Sequence, residues 1–238
     1  MTFSTLFIAY LVAVAAATAI VARTWLDSRE AITTLSVLAV WLAFTGWLGF
    51  TGIVGQRVDK FPPGIALLTV PVLIVMLALV LTHSGAVLAR RIPLSMLIGF
   101  QVYRVGVEFS LHHLSSLGLA PRLMTLEGGN IEILVAVTAP VAAWLVSRGT
   151  PGRRIAWLWN VIGILSLANI VARAVLTAPG PLRLIDAEPP GTAILIFPFT
   201  FIPGFMAPLA LALHILAFRA FPASIFPSSR RNRENGLP

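Results

Sequence analysis

Seven times between residues 3 and 218 the chain runs apolar for the length of a membrane-crossing helix, with few charges inside each run. About 20 apolar residues, rising roughly 1.5 Å each, cross a hydrocarbon core of about 30 Å. Inside hydrocarbon every backbone N–H and C=O must be paired within the chain, so such runs are expected to be helices. The predicted spans are 3–22, 31–54, 64–82, 94–119, 131–147, 155–177 and 194–218. The expected fold class is all-α: a seven-helix transmembrane domain over 1–219, then a basic cytoplasmic tail over 220–238. The seventh span carries Pro198, Pro203 and Pro208, so kinking or partial unwinding is expected near its start.

Charge supports lipid as the main solvent. Charged residues make up 11 % of the chain and hydrophobic ones 58 %, whereas soluble domains carry about 25 % charged residues. The net charge of +8 comes from arginines and a single lysine, Lys60. These sit mostly in short connectors, where they read as topology signals and contacts to anionic lipid rather than to nucleic acid. Residues 1–22 contain no Lys or Arg, so a cleavable signal peptide is not expected and the first span is read as a mature helix.

Orientation follows from the basic residues outside the spans. Arg23, Arg29, Arg90, Arg91, Arg148, Arg153, Arg154, Arg219, Arg230, Arg231 and Arg233 fall on one side, eleven in all; Arg57, Lys60, Arg122 and Arg183 fall on the other. The richer side is cytoplasmic by the positive-inside rule. The expected location is the inner (plasma) membrane, with the amino terminus outside and the carboxyl terminus in the cytoplasm.

The fourth predicted span is the one that suggests function. Gln101, Arg104, Glu108, His112 and Ser115 fall within an arc of roughly 80° on a helical wheel. Each ionisable side chain in hydrocarbon costs an estimated ~2.5–3.5 kcal/mol on insertion scales, so such a stripe faces a protein interior or a wet cavity. Arg104 and Glu108, and Glu108 and His112, are spaced to pair along the helix. A structural clamp and a proton relay or ligand site are both open. On the sixth span Ser166, Asn169 and Arg173 share an arc of about 60°. The connector holding Glu127 and Asn130, and Glu132 at the start of the fifth span, lies at the same outer depth. Glu132 there also suits the positive end of the helix dipole. The expected site is thus Gln101, Arg104, Glu108, His112, Asn169, Arg173, Glu127, Asn130 and Glu132, opening outward, with Arg104 and Arg173 as its cations. His83 and His214 are expected near the cytoplasmic side, away from this site, where a pairing of the two is open but lone interfacial histidines are commoner.

No cofactor is expected. There is no cysteine for disulfides or thiolate metal sites, and His112, His113, Glu127 and Glu132 lack a metal-binding spacing. Lys60, in a loop, is not placed for a retinal Schiff base. No phosphate-binding loop or nucleophile elbow occurs.

Pro62-Pro-Gly-Ile-Ala-Leu-Leu-Thr-Val-Pro71 and Pro189-Pro-Gly-Thr-Ala-Ile-Leu-Ile-Phe-Pro198 agree at six of ten positions. A parallel repeat of three helices, one linker helix and three helices would explain this, and so would chance among Leu/Ala/Val-rich spans. That arrangement resembles sugar carriers of the SWEET type in helix count and orientation only; their Pro-Gln motif is absent. Tyr103-Arg104-Val-Gly-Val-Glu108, Met124-Thr-Leu-Glu127-Gly-Gly-Asn130-Ile-Glu132, Trp159-Asn160 and Phe197-Pro198-Phe-Thr-Phe-Ile-Pro203-Gly resemble a group of bacterial multi-spanning membrane proteins with no assigned activity. The resemblance runs from the third span to the seventh and transfers no catalytic or binding residue.

Three functions are compatible with these features. The first is a carrier or channel for a small polar or anionic solute, with the bilayer as its other partner. The second is a membrane-embedded enzyme using Glu108 and His112 as acid and base. The third is an accessory subunit whose stripe holds a partner helix.

Overall fold

The computed structural model describes residues 2–221, so the basic tail expected over 220–238 lies outside the described residues from 222 onward. Among the described residues the chain is helical, with no strand. The helices are α1 (Phe3–Trp25), α2 (Ser28–Thr51), the short α3 (Ile53–Gln56), α4 (Ala66–Leu81), α5 (His83–Arg91), α6 (Leu94–Gly99), α7 (Arg104–Ser116), α8 (Glu132–Leu145), α9 (Gly149–Thr177) and α10 (Ala207–Ala220). Four helical stretches are long and apolar enough to cross a membrane: Phe3–Trp25, Ser28–Thr51, Glu132–Thr177 and Ile202–Ala220. Counting α4 and α5 together as one bent span makes five.

Several predicted boundaries shift, each for a local reason. The third span stops at Leu81, and the stretch read as a connector forms α5, turned by 76°. Thr82 makes the corner. Its backbone is extended, and its hydroxyl donates to the Ala78 carbonyl at 2.7 Å while accepting from the Gly85 N–H at 3.4 Å, closing one helix and capping the next. The fourth predicted span is not one α-helix: a 3-10 turn, Phe100–Tyr103, separates α6 from α7. Within the long stretch Glu132–Thr177 the chain reverses at Gly149, whose φ of 73° suits only glycine. Trp159 Nε1 then donates to Thr138 Oγ1 at 2.9 Å, so α8 and α9 lie antiparallel as a hairpin. Regular helix in the seventh span begins later than expected. Residues 193–195 form a 3-10 turn and Ile202–Met206 a π turn before α10 takes over, as three prolines in eleven residues demand. The two Pro-Pro-Gly segments therefore diverge, one entering α4 directly and the other an irregular stretch.

The core forms around α10, which packs on α4, α5, α6 and α9, while α8 packs on α6, α7 and α9. Half of the Ile202–Ala220 stretch is buried, against 22 % of α1 and 17 % of α2, so the first two helices are peripheral. They are pinned by polar contacts: Tyr10 OH donates to the Tyr103 carbonyl, and Trp41 Nε1 to the Gly204 carbonyl at 2.5 Å. The outward faces carry many exposed apolar side chains, among them Val40, Phe50 and Leu81.

Candidate functional site: a buried charge cluster on an apolar cavity

α7, α8, α9 and α10 each contribute one side chain to a continuous polar chain. Arg104, the first residue of α7, is 3 % exposed and forms an ion pair with Glu132, the first residue of α8. Its Nη1 also lies 3.2 Å from His214 Nε2 on α10. A guanidinium has no acceptor, so Nε2 accepts and the ring proton sits on Nδ1. His214 Nδ1 then donates to Asn160 Oδ1 on α9 at 2.7 Å, and Asn160 Nδ2 donates to the His214 carbonyl at 3.1 Å. Both residues are fully buried. A glycine makes room for them: a Cβ at Gly163 would sit 2.3 Å from the imidazole.

Glu108, one turn beyond Arg104, takes a different partner from the one its spacing implies. Its Oε2 accepts from Asn130 Nδ2 at 2.8 Å. Asn130 Oδ1 accepts from the Glu132 N–H at 3.1 Å, which satisfies one free donor of the α8 start. One asparagine thus ties Glu108 to the first turn of α8. Gln101 Nε2 donates to the Ala210 carbonyl at 3.0 Å, and Tyr103 OH donates to the Met206 carbonyl.

The remaining expected site residues lie elsewhere. His112 is exposed, and Glu127 is exposed and paired with Arg122 at 3.0 Å. Helical rotation already carries residue 112 about 80° from residue 104. Asn169 and Arg173 pair along α9 at 3.0 Å, and Arg173 Nη1 donates to the Leu123 carbonyl at 3.0 Å and the Gly128 carbonyl at 2.5 Å. Arg173 therefore clasps the loop ahead of α8. His83 is exposed on α5, apart from His214, which sits against Arg104. Arg219, five residues further along α10, is the residue that meets the α4–α5 corner, through the Val80 and Thr82 carbonyls, which leaves His214 against Arg104. Asn160 and His214 are the members that spacing alone did not single out. The available signal was that each is a polar residue within an apolar span with no polar partner one turn away.

A cavity of about 520 Å³ lies against the cluster. Arg104, Glu108 and Glu132 line it, and Thr69 is the one other polar side chain on its wall. The facing walls come from α4 and α9, through residues such as Val72, Leu73, Ala168 and Val171. No cluster of three or more His, Cys, Asp or Glu able to hold a metal occurs among the described residues.

No curated protein and no solved structure matches the chain. A family model described as Domain of unknown function (DUF8737) matches residues 61–221. That stretch holds Arg104, Glu108, Asn130, Glu132, Asn160 and His214, and it is more than half of the chain. The chain belongs to this family.

Proposed function

We propose that the protein is a seven-span carrier of the bacterial inner membrane, and that its solute binds in the cavity against Arg104, Glu108 and Glu132. One observation carries this reading: two carboxylates and a guanidinium, all nearly buried, border open space instead of being sealed in packed side chains. A purely structural ion pair has no use for a cavity beside it, and intramembrane charge is costly enough to be kept where it serves a pathway. The count of seven rests on taking α8 and α9 as separate spans around Gly149 and Leu94–Ser116 as one span broken by its 3-10 turn.

Orientation with the amino terminus outside rests on the basic residues, and cross-chain contacts are consistent with the same two sides. Arg91 bridges to Asp27 with Nη1–Oδ1 at 3.0 Å, and Arg219 donates to the Val80 and Thr82 carbonyls at 2.9 and 3.1 Å, which groups three connectors on the richer side. The competing readings have less support. His112 is exposed and absent from the cavity that Glu108 lines, so the acid–base pair lacks its geometry. A partner helix needs an outward stripe, whereas Gln101, Arg104 and Glu108 are buried.

The test uses the absence of cysteine. Val107→Cys, on the cavity wall, is expected to react with a small membrane-permeant thiol reagent. Failure to react, when a cysteine at exposed position 127 reacts, overturns the carrier reading.

A further inference from the structure

We infer that the occupant is a lipophilic monocation that enters sideways from the bilayer between α4 and α9. The inference rests on the carrier reading and names the substrate class of that site. Three observations lead to it.

The first is the wall. Besides Thr69 and the three charged residues, the lining is entirely Val, Leu, Ile, Ala, Met, Pro and Gly. A small polar solute entering such a space gives up its hydration with almost nothing to replace it. A hydrophobic molecule gains by burying its surface there, and ligand sites of this size are mostly apolar with a few placed polar groups.

The second is the charge count. One guanidinium, Arg104, faces two carboxyl groups, Glu108 and Glu132, and His214 is engaged as a neutral ring between Arg104 and Asn160. Arg173, half-buried on α9, is engaged by the loop carbonyls and does not line the cavity. With Glu108 ionised the cluster is one positive charge short of balance, and a bound cation would hold it in that state. A further acceptor is also idle. Glu132 is 2 % exposed, its second oxygen, Oε1, has no hydrogen-bond partner, and the residue lines the cavity. An anion would meet carboxylates here, while a cation completes the count.

The third is the way in. α4 and α9 both pack on α10, and the cavity lies between them. Leu73 on α4 is 61 % exposed and Val171 on α9 is 45 % exposed, yet both also line the cavity, so it opens on the flank of the bundle. One end is roofed by the connectors before α4 and after α9. There Gly180 lies so close to the Val58 carbonyl that a Cβ would sit 2.7 Å from its oxygen. A flank opening edged by Leu and Val admits what dissolves in lipid.

Tetraphenylphosphonium and tetraphenylborate have nearly the same shape and opposite charge. Each is titrated into the purified protein in lipid nanodiscs, with empty nanodiscs as the blank. The phosphonium is expected to bind saturably above the blank, and the borate is not. Glu108→Gln is expected to weaken phosphonium binding by about tenfold or more, the scale of removing one charge from a buried complementary set. Ala168→Trp, which fills the space between α4 and α9 without touching the charges, is expected to abolish it while the melting temperature shows the variant folded. Borate binding without phosphonium binding overturns the inference, as does phosphonium binding that neither substitution changes. If neither ion binds but Val107→Cys is labelled, the cation inference falls and the carrier reading stands. If that cysteine is also unlabelled, both fall.

Discussion

Glu132 and Glu127 stand five residues apart, each has an arginine partner, and they are expected to contribute very differently to stability. The Arg104–Glu132 pair is shielded, whereas the side chains of Arg122 and Glu127 are 76 % and 56 % exposed. Removing one member of a buried pair leaves an uncompensated charge and costs about 3–5 kcal/mol. An exposed pair contributes about 0–1 kcal/mol because water and salt screen it. Glu132→Gln is therefore expected to lower the melting temperature in detergent clearly, and Glu127→Gln hardly at all; equal shifts would refute the assignment. Glu132 shows what local spacing can and cannot reveal. Its suitability for a helix start was legible from its position, but its role as the partner of Arg104 was not. Helical periodicity pairs residues three or four apart, and this partner comes from another helix.

Helix ends do much of the organising at the next scale. Asn130 joins Glu108 to the start of α8, Thr82 turns α4 into α5, and Arg173 holds α9 against the loop before α8. The last is a positively charged donor to two carbonyls, and hydrogen bonds to charged groups are worth about 1.5–3 kcal/mol. Arg173→Ala is expected to free that loop selectively. Amide hydrogen exchange should quicken at Gly128 and Asn130 while α10 keeps its protection; unchanged exchange in the loop would show that the clasp carries no weight. Polar residues on α9 were visible in the sequence as a face, but a face does not say whether it meets a cavity or a backbone. That was decided by the chain reversal at Gly149 and by where the loop came to rest.

For the molecule as a whole, the distribution of basic residues predicts sidedness. A reporter enzyme active only in the cytoplasm, fused after Phe221, is expected to be active, and one fused ahead of Thr2 inactive. The opposite pattern would invert the depth of every site residue while leaving the internal contacts as they are. The peripheral position of α1 and α2 is consistent with a family match that begins at residue 61. The cavity and its charge cluster belong mainly to the part that follows.

What the amino-acid sequence determined alone is the helical class, the approximate positions of most helices and the ionisable residues within an apolar chain. Those features depend on local quantities: run length, proline position and the cost of charge in hydrocarbon. Tertiary structure decided the partners. Arg104 bonds across to Glu132 and His214, His214 to Asn160, and Glu108 to Asn130, because α7, α8, α9 and α10 converge there. It also decided that these charges would border an apolar space. No stretch of sequence carries that information, since a cavity exists only where helices distant along the chain pack and leave a gap.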